Sequence, residues 1–285
     1  MTSTAVRALT REELDRLLDW AADEGWNPGL ADAAAFHAAD PAGFLGCFVG
    51  GELAAGISAV AYDAQFGFIG LYICHPRFRG KGYGRKVWDA GMEYLGSRSI
   101  GLDGVPEQQA YYASRGFARL YETVRWNGIA GKGLPIASLG TASVRAITAR
   151  DLPALSAFDR RHFPAPRHGF LPLWTAEGAR DACVATTNDG TILGYAVLRR
   201  CRQGRKIGPL FAVDDETAEL LLHTSLDSAM GDGIQIDVPD HQIRLSETLR
   251  RLGFEPGFTT ARMYRGPVPA IALAGVYAIT TLELG

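Results

Sequence analysis

The chain has 285 residues, 47% hydrophobic and 21% charged, with 29 basic against 31 acidic side chains and a formal net charge of −2. A chain this long buries a core without disulfides or metals, and about 150 residues per domain gives about two domains. The even charge balance argues against a dedicated nucleic-acid binder, and the apolar content against a disordered chain.

Read from the N-terminus, MTSTAVRALTREELDRLL carries charge where a signal peptide needs an apolar stretch. A short strand leads into a helix, because Thr10-x-x-Glu13 is a capping box and Leu14, Leu17, Leu18 and Ala21 share one face. Strand-like runs follow at 43–49 and 53–62, divided by the turn Gly50-Gly51-Glu52. The run 66–74 is apolar almost throughout, as a strand buried on both faces would be, and stops at His75-Pro76. An amphipathic helix over 84–96, a strand at 100–102, a helix over 107–115 and a strand at 120–126 complete the series. The order β-α-β-β-β-α-β-α-β predicts a mixed α/β sheet.

The pattern then starts again. Residues 6–13, VRALTREE, recur as VRAITARD at 144–151, an offset of 138. Ile69-Gly70 returns as Ile207-Gly208, Gly116-Phe117 as Gly253-Phe254, and Arg125 is answered by Arg262. A collinear series at nearly constant offset means a repeat. We expect two homologous domains, 1–138 and 139–285, joined through the Gly-, Ser- and Pro-rich stretch 128–143. The second copy predicts strands near 182–185, 192–199, 206–213 and 233–238, with helices near 216–230 and 241–252. Cys47, Cys74, Cys183 and Cys201 form no CxxC pair, so neither a zinc site nor a disulfide framework is expected. No run reaches the ~18 apolar residues of a membrane helix. A protein of the reducing cytoplasm, with no metal and no membrane or nucleic-acid partner, is the expectation.

Chemistry concentrates in LYICHPRFRGKGYGRKVWDAG, residues 71–91. A buried strand enters a loop with Gly80, Gly82 and Gly84, and a helix begins at once. Backbone amides converging on a helix N-terminus hold phosphate oxygens. Arg79, Lys81 and Arg85 add positive charge at the rim, so the physics points to a pyrophosphate site; a plain glycine-rich turn is the competing reading. A P-loop is absent, and the glycine spacing is wrong for a dinucleotide fingerprint.

RGKGYG at 79–84 matches the (Q/R)-x-x-G-x-(G/A) loop and resembles the GNAT superfamily of acyl-CoA N-acyltransferases. AYYASRGF at 110–117 is similar to the helix of that family ending in Tyr-x-x-x-Gly-Phe. The resemblance covers essentially all of 1–138 and implies two tandem domains with mostly antiparallel sheets flanked by helices. It implies acetyl-CoA as donor, its pyrophosphate on Arg79, Gly80, Lys81, Gly82, Tyr83, Gly84 and Arg85 and its pantetheine arm along Ile73 and Cys74. Tyr112 matches the tyrosine that commonly protonates the leaving thiolate, and a phenol of pKa about 10 suits that task. Cys74 is not expected to be a nucleophile, since direct transfer is the family norm.

The chain departs from the family where many members carry Asn, with Asp103 instead; it can serve as base, attract a cationic amine or cap the next helix. Glu122, Asp63 and Tyr72 are further candidates for the base. At offset 138 the loop maps to TAELLL (217–222), and Tyr112 maps near Leu249 at offset 137. The second copy thus lacks both cradle and acid, and is expected to be a degenerate domain that helps shape the acceptor site. Asp237, Asp240 and His241 are its candidate acceptor residues, with capping of the helix near His241 as the plainer reading. The Pro-rich loop 163–172, next to His162 and carrying Arg167 and His168, covers the acceptor site or is a surface connection. The expected activity is acetyl transfer to a primary amine of a small molecule; a protein lysine or N-terminal acetyltransferase and a non-catalytic acyl-CoA sensor are the alternatives.

Overall fold

A computed structural model describes residues 3–131, 142–178 and 180–285; the expected boundary at 138/139 and most of the 128–143 join lie outside them. The first half runs β1 (Thr4–Ala8), α1 (Arg11–Asp23), α2 (Asp32–Ala39), β2 (Phe44–Val49), β3 (Glu52–Ala61), β4 (Phe66–Cys74), α3 (Tyr83–Leu95), β5 (Ser99–Gly104), α4 (Pro106–Ser114) and β6 (Ala118–Ile129). The second runs β7 (Ser143–Ala146), α5 (Leu152–His162), α6 (Phe170–Trp174), β8 (Arg180–Thr186), β9 (Ile192–Arg200), β10 (Arg205–Ala212), α7 (Asp215–Asp227), β11 (Gly233–Pro239), α8 (Ile243–Arg251), β12 (Glu255–Arg265) and β13 (Val276–Ala278). No helix among the described residues is long and apolar enough to cross a membrane.

Both halves begin with the same local device. The Glu13 carboxylate accepts the Thr10 N–H at 2.9 Å and grips Arg7 with both oxygens at 2.7 Å. Asp151 does the same for Thr148 at 2.8 Å and for Arg145, again at 2.7 Å. Strand, cap and ion pair therefore repeat together.

The strands form a single sheet in the order β1-β2-β3-β4-β5-β12-β6-β11-β10-β9-β8-β7, with β13 on the side of β10. Sequence order would place β6 beside β5 and β12 beside β11. Instead the last long strand of each half is exchanged, β12 lying on β5 and β6 on β11. Both exchanged pairings are fixed by a buried ion pair at directly opposed positions. Asp103 on β5 receives Arg262 of β12 in a two-pronged grip at 2.8 and 2.9 Å. Asp237 on β11 receives Arg125 of β6 at 2.7 and 2.9 Å. A slip of one residue turns each charge to the opposite face, so the pairs define register.

The core also crosses between the halves. Leu14 and Leu17 of α1 and Phe36 of α2 lie in one apolar cluster with Leu155 and Phe158 of α5 and Phe170 and Trp174 of α6. Beside it, buried Asp32 of the first half holds Arg180 and Arg199 of the second. The loop 163–172 is neither a cover nor a surface connection. Its Arg167 is buried, held by Asp159 and donating to Thr280 Oγ1 at 2.9 Å, because a guanidinium in the core needs fixed acceptors on several sides.

Arg262→Met leaves the Asp103 carboxylate buried and unpaired, and should cost about 3–5 kcal/mol in denaturant unfolding. The double variant Asp103→Leu/Arg262→Met removes both charges and should recover most of that loss.

Candidate active site

Strands β4 and β5 run parallel from Phe66 opposite Ser99 to Ile69 opposite Leu102, and there the pairing ends. Just beyond, Leu71 takes a left-handed φ of +46°, and the register against β3 shifts between Gly56 and Ser58. Two residues of β4 thus face one of β3, a bulge that removes main-chain groups from the ladder. Left-handed backbone at a leucine is strain of the kind that gathers at functional sites. The splay opens a cavity of about 450 Å³. Ile69 through Cys74, Leu102 and Asp103 line it with Gln108 and Tyr112 of α4 and, from elsewhere in the chain, Trp26, Phe258, Thr260 and Glu283.

Arg79 also lines the cavity, and the glycine loop continues from it. Its side chain donates to the Cys74 carbonyl at 2.9 Å and pairs with Glu24. Gly80 and Gly82 have φ of +76° and +83°, and Gly82 is the N-cap of α3. No side chain caps that helix, and a Cβ added to either glycine would meet nothing within 4 Å. The space over Gly80 and Gly82 at the start of α3 is therefore open, whereas Gly84 further on lies against the Tyr72 hydroxyl. Lys81 rests on the Arg77 carbonyl at 3.2 Å and Arg85 on exposed Asp89 at 3.5 Å.

Tyr112 is buried, stacked on Trp88 at 5.6 Å between ring centres, and burial pushes its phenol up to about 12. Its neighbour Tyr111 is not among the lining residues; it packs edge-on against Trp88 and under Arg115. Ile73 and Cys74 both line the cavity, and burial raises the Cys74 thiol above its ordinary value.

The acidic candidates divide differently from expectation. Asp103 is in the lining, but it caps nothing, since α4 starts after Val105 without a side-chain cap and Asp103 is committed to Arg262. Asp237, Asp240 and His241 are not brought to the cavity. Asp237 is spent on Arg125; although burial opposes ionisation, Arg125 and Lys206 hold its carboxyl below the usual range. Asp240 accepts the Glu122 N–H at 3.1 Å, and His241 lies edge-on to Tyr121 with Nε2 near the Leu273 carbonyl. None of the three caps α8, which begins at Ile243 after Gln242. Glu122 is taken by Arg119, and Asp63 accepts two turn amides. Glu283, Trp26, Phe258 and Thr260 were not indicated by the sequence, which holds no local motif around them.

In the second half the same splay is closed. Strands β10 and β11 pair in parallel from Arg205 to Ile207, and β13 fills the gap beyond, bonded to β10. Where α3 has Gly82, α7 has Asp214, whose carboxylate takes the Thr217 amide at 2.8 Å. Asp215 and Glu216 add further negative charge to that first turn. An anion is repelled there.

Two family models match, one per half. The acetyltransferase (GNAT) family covers residues 11–117 and the acetyltransferase (GNAT) domain covers residues 155–278. A holothin acyltransferase of Pseudoalteromonas sp. (strain SANK 73390) is 33% identical over 275 residues, 96% of this chain and 92% of its own. The chain belongs to the GNAT acyltransferases. Among solved structures, a putative acetyltransferase of Pyrococcus horikoshii covers 99% of this GNAT chain and 96% of its own, at TM-score 0.79 and 19% identity. A tandem GNAT protein from the clavulanic acid biosynthesis pathway covers 93% and 100%, at 0.62 and 15%. These likenesses agree with the mixed sheet and its two copies. A CoA-linked acyl donor follows from the family, and among the described residues no cluster of His, Cys, Asp or Glu is arranged to hold a metal.

Behind the cavity wall of this GNAT protein, Lys206 is buried and donates to the Trp26 carbonyl at 3.0 Å. Burial pulls its ammonium down to about 8, with Arg125 adding to the fall and Asp237 and Glu283 opposing it. The unfolded chain binds more protons at this lysine between pH 8 and its ordinary value, so its penalty on the fold lessens as pH rises through that window. Lys206→Met should therefore raise the melting temperature at pH 7, with a gain that shrinks by pH 10 in thermal scans.

Proposed function

We propose that this GNAT protein moves an acetyl group from acetyl-CoA to a primary amine of a small molecule, by direct attack and without a covalent enzyme intermediate. The observation that carries the reading is one cavity lined by the splayed end of β4, by Tyr112 and by Arg79, with the uncapped N-terminus of α3 following directly. We further assign donor binding to 1–138, and a role in shaping the acceptor site to 139–285.

The residues present suit the donor. Open space over Gly80 and Gly82 leaves room for a pyrophosphate against the amides of Tyr83, Gly84 and Arg85, with Arg79 and Lys81 beside it. The strand end at Ile73 and Cys74 offers main-chain groups to the pantetheine arm. The donor supplies an activated thioester, and amides released at the Leu71 bulge polarise its carbonyl. Tyr112, protonated at neutral pH because burial lifts its phenol to about 12, gives its proton to the departing thiolate. Cys74, held as a thiol by burial, is a wall and not a nucleophile.

A volume of about 450 Å³ is of small-molecule size. On the acceptor side Phe258, Thr260 and Glu283 from the second half add to the lining, which favours a small molecule over a peptide. The holothin acyltransferase relative supports the same class of acceptor.

Gly82→Val, which strains the N-cap and fills the open space, should abolish acetyl-CoA binding in calorimetry. Tyr112→Phe should lower kcat about 100-fold with unchanged acetyl-CoA affinity, because a positioned proton donor contributes on the order of 10²–10⁴. Free thiol release with a panel of amines provides the assay, and an unchanged kcat would remove Tyr112 from the role.

A further inference from the structure

A chain segment far from the motifs completes the cavity. After β13 the chain crosses to the first half, where Ser58 Oγ donates to the Glu283 carbonyl at 3.0 Å and Tyr62 donates to that of Leu284 at 2.9 Å. Thr280 is anchored from the other side by Arg167 at 2.9 Å. The approach to β4 is so close that a Cβ at Gly70 would lie 2.1 Å from the Glu283 oxygen.

Glu283 is only 3% exposed, it lines the cavity, and its Oε1 has no hydrogen-bond partner among the described residues. Thr260, in the same lining, has an Oγ1 in the same condition. A buried carboxylate oxygen without a donor is costly, and such a group persists where a ligand supplies one. Its neighbours do not supply it. Arg125 of β6 gives its guanidinium to Asp237 of β11 and to the Trp26 carbonyl. Lys206 of β10 also donates to that carbonyl, and the Cys201 thiol beyond β9 faces the Arg199 carbonyl. Around the rest of the cavity Asp103 is neutralised by Arg262 and Glu24 by Arg79, while Tyr72, Cys74 and Tyr112 are uncharged at neutral pH. Among the described residues Glu283 is thus the cavity carboxylate that makes no ion pair, although Arg125 and Lys206 lie near enough to feel its charge.

We propose that Glu283 takes the proton from the acceptor nitrogen, with Thr260 as a neighbouring contact; the inference rests on the acyl-transfer reading above. The nitrogen lone pair forms the C–N bond to the thioester carbon as its proton passes to the Glu283 carboxylate. The C–S bond breaks, and the thiolate takes the phenol proton of Tyr112. Glu283 then returns its proton through solvent to the Tyr112 phenolate, so an amine and a thioester give an amide and a thiol with both residues restored.

The test compares wild type with Glu283→Gln, using acetyl-CoA and the fastest acceptor among primary aromatic and alkyl amines. We expect kcat/KM for the amine to fall about 100-fold with acetyl-CoA affinity unchanged in calorimetry. The wild-type pH profile should carry an acid limb beyond the ionisation of the amine itself, and the variant should lack it. A variant within threefold of wild type that keeps this limb overturns the proposal. Should Glu283→Gln fail to fold, the wild-type profile decides alone, and absence of the extra limb overturns it. Wild type that binds no acetyl-CoA, or binds it and turns over no amine, fails at the acyl-transfer reading and takes this inference with it.

Discussion

Two buried ion pairs, Asp103 with Arg262 and Asp237 with Arg125, hold the middle of the sheet in register, and everything on either side is placed by that register. Each is a doubly hydrogen-bonded pair between directly opposed residues, the geometry in which a desolvated guanidinium and carboxylate lose least. Their net contribution against an apolar pair of equal volume is small, because removing both charges from water offsets the attraction. What they do contribute is position. With β12 locked to β5, its Thr260 arrives in the wall of a cavity that belongs mainly to the first half. The exchange therefore makes that wall a joint product of both copies.

The two copies also show one scaffold put to opposite uses. In each, a pair of parallel strands parts after a few residues, as parallel strands do once their right-handed twist is no longer tied by hydrogen bonds. Between β4 and β5 the gap stays open, strained at Leu71, and ends at a helix whose N-cap is a bare glycine. Between β10 and β11 the gap receives β13, and the following helix begins at an aspartate that satisfies its own amide. The second copy is saturated rather than merely eroded: both hydrogen-bonding vacancies that define the first site are occupied by its own chain.

Much of this was written locally in the sequence. The capping boxes at Thr10 and Thr148, the buried run of β4, the glycine loop and the Tyr112 helix depend on neighbours within a turn or two, and such signals survive reading in one dimension. The repeat even aligned Arg125 with Arg262. Its meaning was not legible, because each arginine serves an aspartate in the other copy, 159 residues away for Asp103 and 112 for Asp237. For the same reason Asp103, Asp237, Asp240 and His241 looked alike as acids or bases near helix starts, whereas only Asp103 reaches the cavity. Helix α2, short and alanine-rich, lacks the polar face that would mark a surface helix; it is held by packing against α6. Glu283 sits in a stretch with no periodicity or motif, and only the path of the chain beyond β13 brings it to Gly70.

The exchange also orders events at the ribosome. Asp103 emerges 159 residues ahead of Arg262, so the nascent first half carries an unmatched acid on an open sheet edge while the second copy is being made. Open edges of this kind invite pairing with other chains. The glycine loop and the Tyr112 helix lie wholly within the early segment, yet Phe258, Thr260 and Glu283 join the lining only when 255–285 has docked. A chain cut short in its second copy keeps the glycine loop and Tyr112 but lacks part of the cavity wall, which ties the appearance of a finished pocket to completion of synthesis.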